Sequence, residues 1–227
     1  MKRHVVIAGP GRAGTTLLVR LFGRVGLDIG TPTWGYYEGA RAGLETDLLA
    51  PDAPYVVKKP DLTWQLRGLL EAGTVEPAWI EWLVVPLRDL SQAAASRVAV
   101  SVKAGSVQAA GGVSLSRWPG RQQADLAKAT YGLLETAALY EIPLVTLEYP
   151  RFARDSGYAW RRLQPVVGGV ADEAAFADAW REVVDPSLVR DRPIGVPASA
   201  SVTLGAVRLR KWFKSRLDKG RDRLLRR

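Results

Sequence analysis

Short apolar runs separated by glycine- and proline-rich turns lay out most of the chain. Val5-Val6-Ile7-Ala8 is mostly β-branched and reads as a buried strand. A turn over Gly9-Pro10-Gly11-Arg12-Ala13-Gly14 interrupts it, and Leu17-Leu18-Val19-Arg20-Leu21-Phe22 then suits an amphipathic helix ending near Gly26. Tyr55-Val56-Val57 is a second strand, stopped by Pro60, which has no N–H to give a sheet. Residues 81–87 and 143–149 read as a third and a fourth strand. Leu126, Leu133, Leu134 and Ala137 predict a helix over 124–140, with two more near 151–165 and 172–184 before Asp185-Pro186. Between 98 and 123 the pattern loosens, and Gly105, Gly111, Gly112, Ser114, Ser116, Pro119 and Gly120 mark a connection. That connection is either plain irregular structure or a lid over a binding site. Strands alternating with helices predict an α/β fold with a mostly parallel central sheet flanked by helices.

Composition adds limits. A length of 227 residues suits one α/β domain over 1–200 followed by a tail over 201–227. Hydrophobic content of 47% and eight Trp argue for a folded chain with a substantial core. The lack of cysteine excludes disulfides and thiolate metal sites and leaves the redox compartment open. Met1-Lys2-Arg3 precedes an apolar run of only four residues, too short for a signal peptide, and no stretch nears the ~20 apolar residues of a membrane span. A cytoplasmic protein is the expectation.

The formal charge of +9 belongs to the tail. Ten Lys and Arg stand against Asp218 and Asp222 between Arg208 and Arg227, a net +8, which leaves the body nearly neutral. The basic balance is therefore no argument for a nucleic-acid-binding fold, and no nucleic-acid partner is expected. Leu209, Phe213, Leu217 and Leu224 lie near one face of a basic amphipathic helix, weakened by Gly220. Docking on the body, peripheral contact of 208–227 with the anionic inner face of a membrane, and nucleic-acid contact all fit such a tail.

Chemistry concentrates at the strand ends. The first strand, the glycine-rich turn and the helix form the context in which backbone N–H groups crowd round an anion, helped by the helix dipole. The spacing is Gly-x4-Gly-Thr-Thr, with Thr15 where a nucleotide triphosphatase carries lysine and the cation moved to Arg12. A structural turn with no ligand is the plainer alternative. Lys58-Lys59-Pro60-Asp61 falls at the C-terminal edge of the second strand, where open α/β sheets bind ligands, or is a solvated strand end. Arg88 ends the third strand and Ser96 lies two turns into the next helix, a separation that can bracket one phosphate, while Asp89 can cap that helix. Glu38 sits among Trp34, Tyr36 and Tyr37; the aromatics either stack on an acceptor or fill a core. His4, the one histidine, fits an ordinary strand position.

These elements resemble the sulfotransferases that use 3′-phosphoadenosine 5′-phosphosulfate (PAPS), bacterial type. Gly11-Arg12-Ala13-Gly14-Thr15-Thr16-Leu17-Leu18 is similar to their Pro-Arg-Ser-Gly-Thr-Thr-Leu-Leu, departing at Gly11 and Ala13. Lys58-Lys59-Pro60 resembles the family's Lys-x-Pro, and Arg88 with Ser96 its second signature, with Leu90 for the usual proline. The resemblance implies a P-loop sulfotransferase fold, with Gly11, Arg12, Ala13, Gly14, Thr15 and Thr16 on the 5′-phosphosulfate. Arg88 and Ser96 would take the 3′-phosphate, and Lys58 or Lys59 would join Arg12 in catalysis. Glu38 is the implied base by its position after the first helix, with Asp61 and Glu45 next in line. PAPS would be a cosubstrate, no metal is expected, and the acceptor would be a hydroxyl of a small molecule, sugar or lipid-linked compound. Of the family's Tyr-Glu-Asp-like element, Leu147-Glu148-Tyr149 keeps only the glutamate, and the Arg-Lys-Gly segment of cytosolic relatives is not recognisable. The rivals are an ATP-dependent P-loop phosphotransferase, disfavoured by Thr15, and a nucleotide-binding protein of the same fold without catalysis.

Overall fold

The computed structural model describes residues 3–31, 43–104 and 119–189. Among them four strands, β1 (His4–Ile7), β2 (Val56–Lys58), β3 (Ile80–Arg88) and β4 (Leu144–Tyr149), form one parallel sheet in the order β2-β1-β3-β4. Six α-helices among the described residues surround it: α1 (Thr15–Arg24), α2 (Leu62–Glu71), α3 (Leu90–Ala104), α4 (Pro119–Leu139), α5 (Ser156–Val167) and α6 (Glu173–Val183). The α/β class with a parallel central sheet is thus what the strand and helix pattern predicts.

A parallel sheet covered on both faces has no polar side, so its strands read as continuous apolar runs. Period-two alternation divides each run between two cores. Val5, Ile7, Val84, Val145 and Leu147 face Leu18, Leu21 and Phe22 of α1 and Leu163, Val167, Phe176 and Trp180 of α5 and α6. Val6, Ala8, Val57, Leu83 and Val85 face Leu62, Leu66 and Leu70 of α2 and Leu133 and Ala137 of α4. Asp155 and Asp172 start α5 and α6 by accepting from the N–H groups of Tyr158 and Ala175, each 2.8 Å away.

Pro86 lies inside the central strand β3, where a missing N–H would normally break a ladder. The carbonyl of Val84 faces β1, accepting from Ala8 N–H at 3.2 Å, so the N of Pro86 faces the same side. The paired register with β1 ends at Ile7–Val84, so Pro86 falls just past it, where Gly9 packs against the proline: a Cβ on Gly9 would stand 3.6 Å from the Pro86 carbonyl oxygen.

The structure corrects the helix boundaries. The stretch from 98 onward is not loosened at its start, since α3 runs to Ala104, and α4 begins at Pro119 rather than 124. Residues 151–153 form a 3-10 turn, and the helix after it starts at Ser156. Helix α2 was not expected at all. The central part of the 98–123 connection, the aromatic segment with Glu38, the 200/201 division and the 208–227 tail lie outside the described residues. Among the described residues no helix is long and apolar enough to cross a membrane.

Candidate functional site

The chain leaves β1 toward α1 and β2 on one side of the sheet, while β3 lies on the other, so the order reverses beside β1. A crevice at such a switch point, beyond the C-terminal strand ends, is where open α/β sheets take ligands. The 9–14 loop fills this position.

Gly14 closes the loop in the left-handed region, with φ 89° and ψ 15°, and serves as the N-cap of α1 without any side-chain cap. An ideal Cβ on Gly14 would stand 2.6 Å from Phe152 Cζ and 3.0 Å from Tyr149 Cδ2. Only a glycine lets the loop lie against this aromatic wall. Arg12 also has positive φ, 61°, a conformation that costs a non-glycine residue on the order of 1 kcal/mol or more. Its surroundings hold it there. Arg12 Nε donates to Ser96 Oγ at 3.2 Å, and its carbonyl accepts from the Arg88 guanidinium at 2.9 Å.

Two further contacts fix the rest of the loop. Arg97, fully buried at 1% exposure, donates to the carbonyl of Pro10 at 2.8 Å. Thr63, in the first turn of α2, accepts from Gly9 N–H at 2.9 Å; its hydroxyl lies 2.7 and 2.6 Å from the carbonyls of Gly9 and Pro60. Burial, followed by the neighbouring Arg12 charge, lowers the Arg97 guanidinium to about 10, with Asp61 opposing both. Loop carbonyls held from behind, an uncapped helix start and a gathering of guanidinium groups are the features that suit an anion.

The edge of β2 supplies another cation. Lys58 is 2% exposed, and its ammonium donates to the carbonyl of Gly43 at 2.6 Å and to Glu45 Oε1 at 3.2 Å. Thr16 Oγ1 donates to the same Gly43 carbonyl at 3.5 Å, which links this pair to the start of α1. Burial pushes the Lys58 ammonium below its usual value; Glu45 pulls it back up, and Arg12 adds to the depression. Lys59 takes the other direction and pairs with Asp47 at 2.6 Å, holding that carboxyl below its ordinary range. The two adjacent lysines are therefore unlike: Lys58 is buried beside the loop, and Lys59 lies at the surface in an ion pair.

Arg12, Thr15, Thr16, Lys58, Arg88 and Ser96 come together around one loop, with Gly11, Ala13 and Gly14 forming its backbone. Arg88 and Ser96 both turn toward Arg12, and the Arg88 guanidinium also lies 4.9 Å from the centre of the Tyr149 ring. Asp89 caps α3 through Gln92 N–H at 2.9 Å. His4 is buried within β1, its Nδ1 2.7 Å from the carbonyl of Pro54. Glu38 lies outside the described residues. Thr63 and Arg97 are the participants that sequence reasoning missed. The signal for Thr63 was the heptad-like Leu62, Leu66, Leu69 and Leu70 after Pro60-Asp61, which marks a helix start. No comparable signal joins Arg97 to Pro10, since their contact spans 87 residues. Compared with protein-family models, curated proteins and solved structures, the chain has no match.

Proposed function

We propose that this protein is a sulfotransferase that moves a sulfuryl group from PAPS to an acceptor hydroxyl. The observation that carries the reading is the meeting of Arg12 with Ser96 and Arg88, residues of two separate sequence elements, at an uncapped helix start. The polar groups fit an anionic donor. The amides at residues 11–16, the Arg12 guanidinium and the hydroxyls of Thr15 and Thr16 would hold the 5′-phosphosulfate, and Arg88 and Ser96 the 3′-phosphate. The donor supplies a sulfuryl group whose departure leaves charge on a phosphate. Preorganised donors stabilise charge most where it develops, a role that would fall to Arg12 and Lys58.

A base must remove the acceptor's hydroxyl proton. Glu38 is the candidate from its sequence position, and Glu45 is the carboxylate joined to the loop through Lys58. A positioned base contributes about 10²–10⁴-fold. The base is expected to be one of these two: Glu38→Gln or Glu45→Gln should lower turnover at least about a hundredfold while leaving affinity for adenosine 3′,5′-bisphosphate within about threefold. Initial rates with radiolabelled donor and a panel of sugar, lipid-linked and small-molecule hydroxyls measure this. Near-wild-type turnover in both variants would exclude both carboxylates.

The test of the reading as a whole is a titration with adenosine 3′,5′-bisphosphate, AMP and magnesium-ATP. Preference for the bisphosphate over AMP is expected to exceed about tenfold and to collapse in Arg88→Ala, since charge-assisted hydrogen bonds are about twice as strong as neutral ones. Preference for magnesium-ATP with phosphate release would replace the reading by a phosphotransferase.

A further inference from the structure

We propose that Arg97 is a positioning residue of the anion site, which pins the Pro10 carbonyl behind the loop and so aims the loop's amides before any ligand arrives. The argument begins with the planar trans peptide, in which C=O and the following N–H point in opposite directions. Arg97 holds the carbonyl of Pro10 at 2.8 Å, and that peptide's N–H belongs to Gly11. Arg88 holds the carbonyl of Arg12 at 2.9 Å, and that peptide's N–H belongs to Ala13. Two alternate peptides of the loop are thus fixed from outside, each with its N–H turned away from the guanidinium that holds its carbonyl.

The cost of this arrangement marks it as more than packing. A guanidinium at 1% exposure gives up its hydration, and its neighbour Arg12 carries the same charge. Surrounding residues of α3 are small and apolar: Ala93 and Ala94 pack on Leu126 of α4. An apolar side chain at 97 would bury no charge, but it would leave the Pro10 carbonyl without its donor and Asp61 without the neighbouring guanidinium. The arginine instead ties α3 to the loop, one residue after Ser96 accepts from Arg12. An anion in the loop would relieve the repulsion between the two guanidinium groups. The proposal rests on the anion-site reading alone and not on sulfuryl transfer.

The experiment uses the full chain, calorimetric titration with adenosine 3′,5′-bisphosphate and with inorganic pyrophosphate, and thermal melting. Arg97→Met is expected to weaken both probes about tenfold or more and to lower the melting temperature by up to about 12 °C without unfolding the chain at the titration temperature, because the Pro10 carbonyl loses its buried donor. Arg97→Lys, which keeps a charged donor, is expected to recover affinity to within about threefold. A folded Arg97→Met that binds both probes within about threefold of wild type overturns the proposal. An Arg97→Lys affinity as low as that of Arg97→Met places the effect in packing and also overturns it. If Arg97→Met does not fold, Arg97→Gln is judged by the same criterion, and failure of both to fold makes the residue structural. Wild-type protein that binds neither probe overturns the proposal as well. Binding that depends on Arg97 without transfer from labelled PAPS to any acceptor leaves it standing and removes the sulfotransferase reading.

Discussion

Arg12→Ala should retain the fold and weaken binding of adenosine 3′,5′-bisphosphate at least about a hundredfold. The backbone argument for a retained fold is direct. Alanine keeps a Cβ at φ 61°, so the left-handed strain is unchanged, and the residue's carbonyl still accepts from Arg88. The lost side chain is the guanidinium within the loop itself. Hydrogen bonds from a charged donor contribute about 1.5–3 kcal/mol each, and 1.4 kcal/mol is a factor of ten, so two bonds to one phosphate correspond to roughly 10²–10⁴-fold. Transfer should fall further, by about 10²–10³, if the same group stabilises charge on the leaving phosphate. Arg24→Ala is the control. It removes the same charge from the far end of α1, where Arg24 pairs with Glu182 at the surface, and should change affinity less than about twofold. Equal losses in the two variants would show that net charge, not the loop, attracts the ligand.

The parallel sheet was legible because burial on both faces leaves its strands without polar positions, as in Val5-Val6-Ile7-Ala8. The loop was legible because turn, strand and helix signals coincide within a few residues. Helix α2 escaped because Pro60 was read only as the end of a strand. In the structure the 60–61 pair is both that end and the start of a helix, with Thr63 N–H bonding to the Pro60 carbonyl at 3.1 Å. The length of α3 was hidden for a different reason. Its contact face is made of Ala93 and Ala94, whose small side chains create little periodic contrast, and the glycines from 105 onward suggested an earlier break.

Site chemistry divides along the same line. A lysine beside a proline can be read from the sequence, but which of Lys58 and Lys59 is buried depends on strand orientation and on the partner segment at 43–47. That segment contributes Glu45 to Lys58 and Asp47 to Lys59, two carboxylates two residues apart serving adjacent lysines. Thr46 between them accepts from Lys58 N–H at 3.3 Å and donates its own N–H to the Lys58 carbonyl at 3.1 Å. No local pattern announces this pairing. It is a tertiary arrangement in which the position of one hydrogen-bonded pair settles both ion pairs.

Gly14→Ala should be the most damaging single-methyl change in the described structure around the loop. Two penalties combine. A non-glycine residue at φ 89° costs about 1 kcal/mol or more, and the added Cβ would stand 2.6 Å from Phe152 Cζ, inside any real contact distance. Phe152 has little room to retreat. Its side chain is fully buried, its ring meets Tyr149 edge-on at 5.7 Å, and its carbonyl accepts from Trp180 Nε1 at 2.9 Å. Overpacking of this kind typically costs about 1–3 kcal/mol, so the sum is roughly 2–4 kcal/mol. For a domain of this size about 2–4 °C is lost per kcal/mol, which gives a fall in melting temperature of roughly 4–16 °C. The alternative to unfolding is displacement of the loop, and anion affinity should fall with it. Phe152→Leu in the same chain removes the ring but leaves the backbone strain. Gly14→Ala should therefore lower the melting temperature less in the Phe152→Leu background than in wild type, the remainder being that strain, about 1 kcal/mol or more, and the 3.0 Å approach to Tyr149 Cδ2. Gly14→Ala melting within about 2 °C of wild type, with unchanged bisphosphate affinity, would show that the loop does not lie against Phe152.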